Sequence, residues 1–507
     1  KTRAGMVMKH FDGLKETVAE ISDLHAAMAL LEWDQQTYMP SNSAADRSGQ
    51  IGTLAKLAHE KASSAEFGRL IDAASRETAS MPADSMEVCL CRKLRRNFEK
   101  TSRVPSSLVA RTAGTAAKAH HAWAEAKEKS DFSIFQPYLA SLIDLRREYA
   151  ELFRPYQNIY DPLLDNFEEG YTVAKVDPVF AALREKQVAL LKKIASCKQV
   201  DDSFLHAEYD EKKQLEFVNG VIVRMGYDFT RGRQDMSAHP FTTSFGLNDV
   251  RITTKVFRKL PVSCLLSSVH ECGHALYELG IDKALNRTPL GEGASFGFHE
   301  SQSRLWENLV ARSHDFWVFF YPEFRKAFPE HLANVSLEEF YRAVNKVEPS
   351  FIRTEADEAT YNLHIMLRYE MEKDMLNGTI EVGDIPEAWN RKSQDYLGIT
   401  PENDAQGVLQ VILWPMDAFG YFPTNALGNL IAAQIWARAE QELPSLGESI
   451  RKGDLSSLLG FLRRDLHVYG AKFTPDETLR LSTGSDRIDP DCFIGLLEKK
   501  YSAIYGF

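Results

Sequence analysis

Cysteine is scarce in this chain: six in 507 residues, at positions 89, 91, 197, 264, 272 and 492. Their spacing matches no disulfide framework, so reduced thiols in a cytoplasmic protein are the simpler reading. Cys89 and Cys91 are read as buried helix positions rather than as a metal pair. Basic blocks are absent too. Lys and Arg total 60 against 71 Asp and Glu, and a net charge of −11 argues against a nucleic-acid partner. No apolar run is long enough to cross a bilayer, and no basic start leads into an apolar stretch, so neither a membrane nor a secretory signal is expected. The opening Lys1-Thr2-Arg3-Ala4-Gly5 reads as an addition ahead of a start at Met6 or Met8. Repeats, low-complexity tracts and obvious linkers are also missing. Length alone would allow two or three average domains. Without a linker, the chain reads as one unit over residues 1–507.

What is present is helix. The composition, 44% hydrophobic and 26% charged, describes a globular chain with ample core. Residues 10–39 read as one long helix, with Leu14, Val18, Ile21, Leu24, Met28 and Leu31 on one face. Further helices are expected at about 43–61, 64–79, 85–101, 105–130, 133–153, 177–196 and 208–225. The exception is 239–257. Phe241–Phe245, a four-residue turn and Val250–Val256 read as a β-hairpin, whose edge could pair with an extended peptide. Thr354 and Asp357 suggest a capping box opening a helix that ends near Asn377-Gly378.

Immediately after the hairpin comes His270-Glu271-Cys272-Gly273-His274. Helical residues four apart lie on one face, so His270 and His274 can reach a single metal ion, with Glu271 a step around as a base rather than a ligand. Leu265, Val269, Cys272, Leu276 and Leu279 form a buried stripe behind them. Pro261 stands before the run, and Gly280 is a plausible C-cap. A catalytic zinc takes a third protein ligand. Glu300, beyond the Gly-rich turn 291–297 and at the start of a second amphipathic run, is favoured. Glu278 is the in-helix rival that spacing alone does not eliminate, and His299 is read as a support to the site. This set suits metal-assisted hydrolysis, with His239, Tyr421 and Arg353 as candidate oxyanion donors. An enzyme acting at a free C-terminus also needs a cation for the carboxylate, for which Arg353, Arg251 and Arg304 are candidates. Spacing alone stops at a zinc peptidase.

Taken together, the motifs resemble the carboxypeptidase Taq family. They are Leu31-Glu32-Trp33-Asp34 through Met39-Pro40, His239-Pro240-Phe241, Asp249-Val250-Arg251-Ile252-Thr253, His270–His274, His299-Glu300-Ser301, Ile352-Arg353-Thr354 through Tyr361, Phe419–Thr424, Leu466-His467 with Gly470, and Thr483-Gly484. The resemblance implies a mainly α, single saddle-shaped domain with a deep groove and a small β element beside the metal helix. About 1–105 would form a helical subregion lining or covering that groove. It also implies a homodimer that removes C-terminal residues from peptides. His270, His274 and Glu300 become the ligands of Zn2+, which Co2+ often replaces, and Glu271 the general base. Arg353 becomes the binder of the substrate carboxylate, with His239 and Arg251 lining the groove.

One stretch departs from the family pattern Gly-x-x-Gln-Asp-x-His-Trp. This chain reads Gly407-Val408-Leu409-Gln410-Val411-Ile412-Leu413-Trp414, so Val411 and Leu413 replace a polar pair expected near the groove. Asn425 also replaces a usual tyrosine. Two alternatives to a carboxypeptidase stand: a metal-dependent oligopeptidase cutting internally, which the same metal helix permits, and a zinc-containing peptide-binding protein with weakened catalysis, which Val411 and Leu413 motivate.

Overall fold

The structure, a computed structural model, describes residues 8–507; the opening pentapeptide and Met6 lie outside the described residues. The fold is mainly α, with one small three-stranded sheet. Four N-terminal helices, Lys9–Thr37, Ala44–Ala62, Ala65–Thr78 and Met86–Arg103, follow the hydrophobic periodicity to within about two residues at each end. They build a core of their own from Phe11, Leu14, Val18, Phe67, Ile71, Leu90 and Leu94, which docks on Leu247, Ile281, Leu285 and Leu290. The rest of the chain, from Leu108 to Tyr505, contributes to one continuous larger core.

The hairpin forms as expected, and a third strand joins it. β1 (Gln234–Met236) pairs in parallel with β3 (Val250–Thr254), whose other side pairs antiparallel with β2 (Thr242–Ser244). β1 is three residues of Gln-Asp-Met without apolar alternation, so no local pattern announces it; only the open side of β3 calls it in. The order β1-β3-β2 leaves β2 as an edge strand, beside the helix Pro261–Gly280.

Two local expectations are corrected. Gly280 is not a C-cap: the helix runs through it to Ile281, and a Cβ there would lie 2.8 Å from His467 Cβ and Nδ1, so the glycine makes room for a buried histidine. The helix expected to open at a Thr354–Asp357 capping box begins at Tyr361. Residues Arg353–Glu355 form a short 3-10 turn instead. The Asp357 carboxylate accepts the amides of Ala359 and Thr360 at 2.9 and 3.0 Å, capping a tight turn ahead of the helix. The helix does end at Asn377, with Gly378 in the left-handed region.

Candidate active site

The helix Pro261–Gly280 starts with proline in its first turn, where a missing N–H costs nothing, and buries Leu265, Val269, Cys272, Leu276 and Leu279. His270 and His274 therefore face the opposite way, with ring centroids 4.9 Å apart. They look into a cavity of about 1330 Å³ that runs between the N-terminal helices and the main body. Lys93, Arg96 and Asn97 of the fourth helix form part of its wall.

Two glycines bring Glu300 to these histidines. At Gly273 an added Cβ would stand 2.7 Å from the Gln302 carbonyl oxygen and 2.8 Å from Ser303 Cα, so the helix Phe296–Arg304 packs backbone to backbone against the histidine helix. Gly428, on the helix Phe422–Glu442, supports Glu300 from behind; a Cβ there would meet Glu300 Cβ and Cγ at 2.8 Å. Glu300 Oε2 then lies 3.6 Å from His270 Nε2 and 3.4 Å from His274 Nε2. One donor atom from each residue falls within 4.8 Å of the other two. Ligands about 2.1 Å from a tetrahedral zinc stand about 3.4 Å apart, so two imidazoles and a carboxylate at this spacing fit such an ion. Glu278, the rival, turns elsewhere: it pairs with His299 Nε2 at 2.6 Å.

The supports fix the ligands' protonation. His270 Nδ1 meets Glu307 Oε2 at 2.8 Å, and His274 Nδ1 meets His299 Nδ1 at 2.5 Å, with Glu278 behind it. Both Nδ1 positions are thereby occupied, and both Nε2 lone pairs are left for a cation. Burial holds His274 down to about 3, in the neutral form that coordinates. Burial works the same way on His270, but the carboxylates of Glu300 and Glu307 outweigh it and raise its pKa. Burial would also protonate Glu300; Arg304, His270 and His274 reverse this and keep it ionised. Arg304 Nε donates to Glu300 Oε1 at 2.8 Å, and Ser303 Oγ to Oε2 at 3.1 Å. Asn425, where the family usually has tyrosine, adds a long contact of 3.4 Å to Oε1.

Glu271 is buried beside the pair, and its carboxylate Oε2 accepts the Thr242 hydroxyl of β2 at 2.6 Å. Burial raises its pKa, against the opposing pull of His270 and Thr242. Arg353 lines the same cavity and donates to the Tyr361 hydroxyl at 3.0 Å. Arg304 lies over the same tyrosine, 4.0 Å from its ring centroid. Tyr421 and His239 also line the cavity; Tyr421 packs edge-on against Phe167 and Phe296, while the His239 side chain stands exposed.

Arg251 does not line the cavity. Its guanidinium grips Asp249 through two bonds of 2.8 Å and lies over Trp33, 4.5 Å from the ring, tying the first helix to the sheet. Val411 and Leu413, at positions expected near the groove, also stand outside the cavity lining. Val411 is buried, and Leu413 packs against the core. Thr242 and Glu307 were not singled out from the sequence. Glu307 lies seven residues after Glu300, two turns on, within a π-helical stretch (Leu305–Ala311), and that spacing could have marked it. Thr242, 29 residues from Glu271, carries no such mark.

A family model described as carboxypeptidase Taq (M32) metallopeptidase matches residues 13–501. The chain belongs to this family. It is 38% identical over 496 residues to carboxypeptidase 1 of Bacillus subtilis (strain 168), covering 98% of each chain. It is also 38% identical over 506 residues to thermostable carboxypeptidase 1 of Thermus thermophilus, covering 98% of this chain and 99% of that one. The fold superimposes on the crystal structure of the M32 carboxypeptidase from Deinococcus radiodurans R1 with a TM-score of 0.96. That pair is 40% identical, over 98% of this chain and 100% of the other. Family and site together make this chain a metallocarboxypeptidase, with a His/His/Glu centre for a divalent metal. Among the described residues no helix is long and apolar enough to cross a membrane.

Proposed function

We propose that His270, His274 and Glu300 hold zinc, that Glu271 is the general base, and that Arg353 binds the free C-terminal carboxylate of a peptide. The observation that carries this reading is the convergence of three ligand atoms at zinc spacing beside a buried carboxylate. Two imidazoles and a carboxylate suit zinc, and cobalt, with similar geometry, would serve in its place. When bound, such an ion lowers the pKa of a water toward about 7 and polarises the scissile carbonyl.

The chain's own residues do the rest. Thr242 holds one oxygen of Glu271, leaving the other to take a proton from the water as its oxygen attacks the carbonyl carbon. Glu271 then passes that proton to the amide nitrogen as the C–N bond breaks, releasing the amine of the departing residue. Burial pushes the Tyr421 phenol up to about 12, so it stays protonated and can donate to the developing oxyanion; His239 is a second donor on the same wall. Arg353 lines the cavity and makes no ion pair among the described residues, and a bidentate grip on a carboxylate is the use its fork geometry fits. β2, as an edge strand along the cavity, is placed to pair with the backbone of an extended substrate.

The reading extends to a cytoplasmic homodimer, as the family resemblance implies; six free cysteines agree with a reducing compartment. It takes residues 1–507 as one catalytic domain, with about 1–105 as a subregion over the groove. The separate N-terminal core and the wall residues Lys93 and Arg96 support that division.

Mass spectrometry of a ten-residue peptide and of its C-terminal amide tests the reading. The acid is expected to shorten stepwise from its C-terminus, the amide to resist, and Arg353→Gln to narrow the difference by lowering kcat/KM on the acid about a hundredfold. Internal fragments would instead indicate an oligopeptidase, and binding without product a weakened enzyme. A second variant probes the support of the ligands. Glu307→Gln is expected to weaken zinc binding 10- to 100-fold, read by competition with a chromogenic chelator. Unchanged zinc affinity would show that His270 needs no such partner.

A further inference from the structure

Behind Arg353 lies a second arginine with no anion. Arg368, on the helix Tyr361–Asn377, is 1% exposed. It donates to the His364 carbonyl oxygen at 3.0 Å, with His364 Nδ1 at 3.4 Å, and makes no ion pair within 4 Å among the described residues. Its planar group lies over Trp389, 4.9 Å from the ring centroid. A buried cation without a counter-ion is costly, and natural chains usually supply a carboxylate.

The nearest acid does not fill that role. Glu372 is one turn further along the same helix, but its carboxylate is taken by the Tyr160 hydroxyl at 2.7 Å, the Gly420 amide at 3.0 Å and the Trp414 indole N–H at 3.1 Å. Burial also raises Glu372 to about 7, so near neutrality it carries only part of a charge. Arg353 likewise makes no ion pair with a carboxylate among the described residues. The two guanidinium groups each stand 5.8 Å from the Phe422 ring centroid. The charges of both act on His364, where burial works first, then Arg368 and Arg353, to keep the ring neutral. One guanidinium lines the cavity, and the other is buried beside the same aromatic ring.

We propose that Arg368 is a positioning residue for substrate, whose uncompensated charge adds to that of Arg353 and strengthens the hold on the substrate's C-terminal carboxylate. The anion missing from this pair of arginines arrives with the peptide. Because Arg368 is screened from solvent by Trp389 and Phe422, its field reaches the cavity through protein rather than through water, where attraction falls off less. This inference rests on the reading of Arg353 as the carboxylate binder.

The test uses the zinc-loaded enzyme with N-acetylphenylalanine and its amide as probes. Arg368→Met is expected to weaken binding of the acid, and to raise KM for a free-acid peptide, by about fivefold. The amide's affinity and kcat should stay within twofold. Glu372→Gln at pH 8 supplies an arm that retains Arg368: removing the nearest negative charge should tighten the acid and leave the amide unchanged. If Arg368→Met weakens acid and amide alike, or if neither variant changes the acid, the proposal is overturned. Arg353→Gln separates the two readings. Should that substitution weaken acid and amide alike, or neither, the Arg353 assignment itself falls. Should it weaken the acid alone while Arg368→Met and Glu372→Gln leave the acid unchanged, only the role of Arg368 falls.

Discussion

Glu271→Gln is expected to lower kcat by roughly two to four orders of magnitude, with KM and zinc content close to those of the parent. Gln is nearly isosteric with Glu, and its amide oxygen can still accept the Thr242 hydroxyl that now holds Oε2 at 2.6 Å. The ligands His270, His274 and Glu300 keep their partners. What is lost is a buried carboxylate beside the ligand cluster, the group proposed to accept the proton from water. Burial raises the Glu271 pKa, which brings it nearer the range in which a base both takes a proton and gives it up again. The acid limb of the kcat/KM profile is expected to flatten in the variant. Steady-state kinetics on one free-acid peptide, with zinc measured by atomic absorption, decides the matter. A loss of less than tenfold at full zinc occupancy would remove Glu271 from the mechanism.

Stripping the metal should abolish turnover, and returning zinc should restore it. The two imidazoles and the Glu300 carboxylate are each hydrogen-bonded to a protein partner, Glu307, His299 and Arg304 respectively. The apo enzyme is therefore expected to keep its helical spectrum while losing stability. At free zinc a thousandfold above Kd, binding to the folded state alone adds about 4 kcal/mol, seen as a melting temperature higher by several degrees. Protons compete for the site. Glu300 and Glu307 raise His270 above the ordinary value of 6.5 despite its burial, so its protonated form persists to higher pH, and zinc affinity should fall as pH drops through that range. Equal turnover before and after chelation, with zinc shown to be absent, would contradict the metal reading.

Much of this was legible along the chain because it is local. A helix with His at i and i+4 writes its chemistry into five consecutive residues, and the apolar stripe from Leu265 to Leu279 states which face is buried. The same periodicity placed the long N-terminal helices. β1 was not legible, since three polar-flanked residues acquire their strand geometry only from β3. Glu278 and Glu300 could not be separated by spacing. Gly273 and Gly428 separate them, because only the missing Cβ atoms let three helices approach closely enough to put Glu300 at the histidines.

Charge partners were equally out of reach. Nothing in the order of residues says that Arg251 is consumed by Asp249 and Trp33 while Arg353 is left facing the cavity, or that Val411 and Leu413 point into the core. By itself the sequence determined the metal motif, the helical class and the family, because these depend on residue type at short, regular intervals. The tertiary structure alone decided which acid joins the two histidines, which arginine lines the cavity, and where two guanidinium groups share one aromatic ring. Those outcomes depend on distances between residues far apart in the chain, set by how closely helices pack and by which charges find partners in the interior.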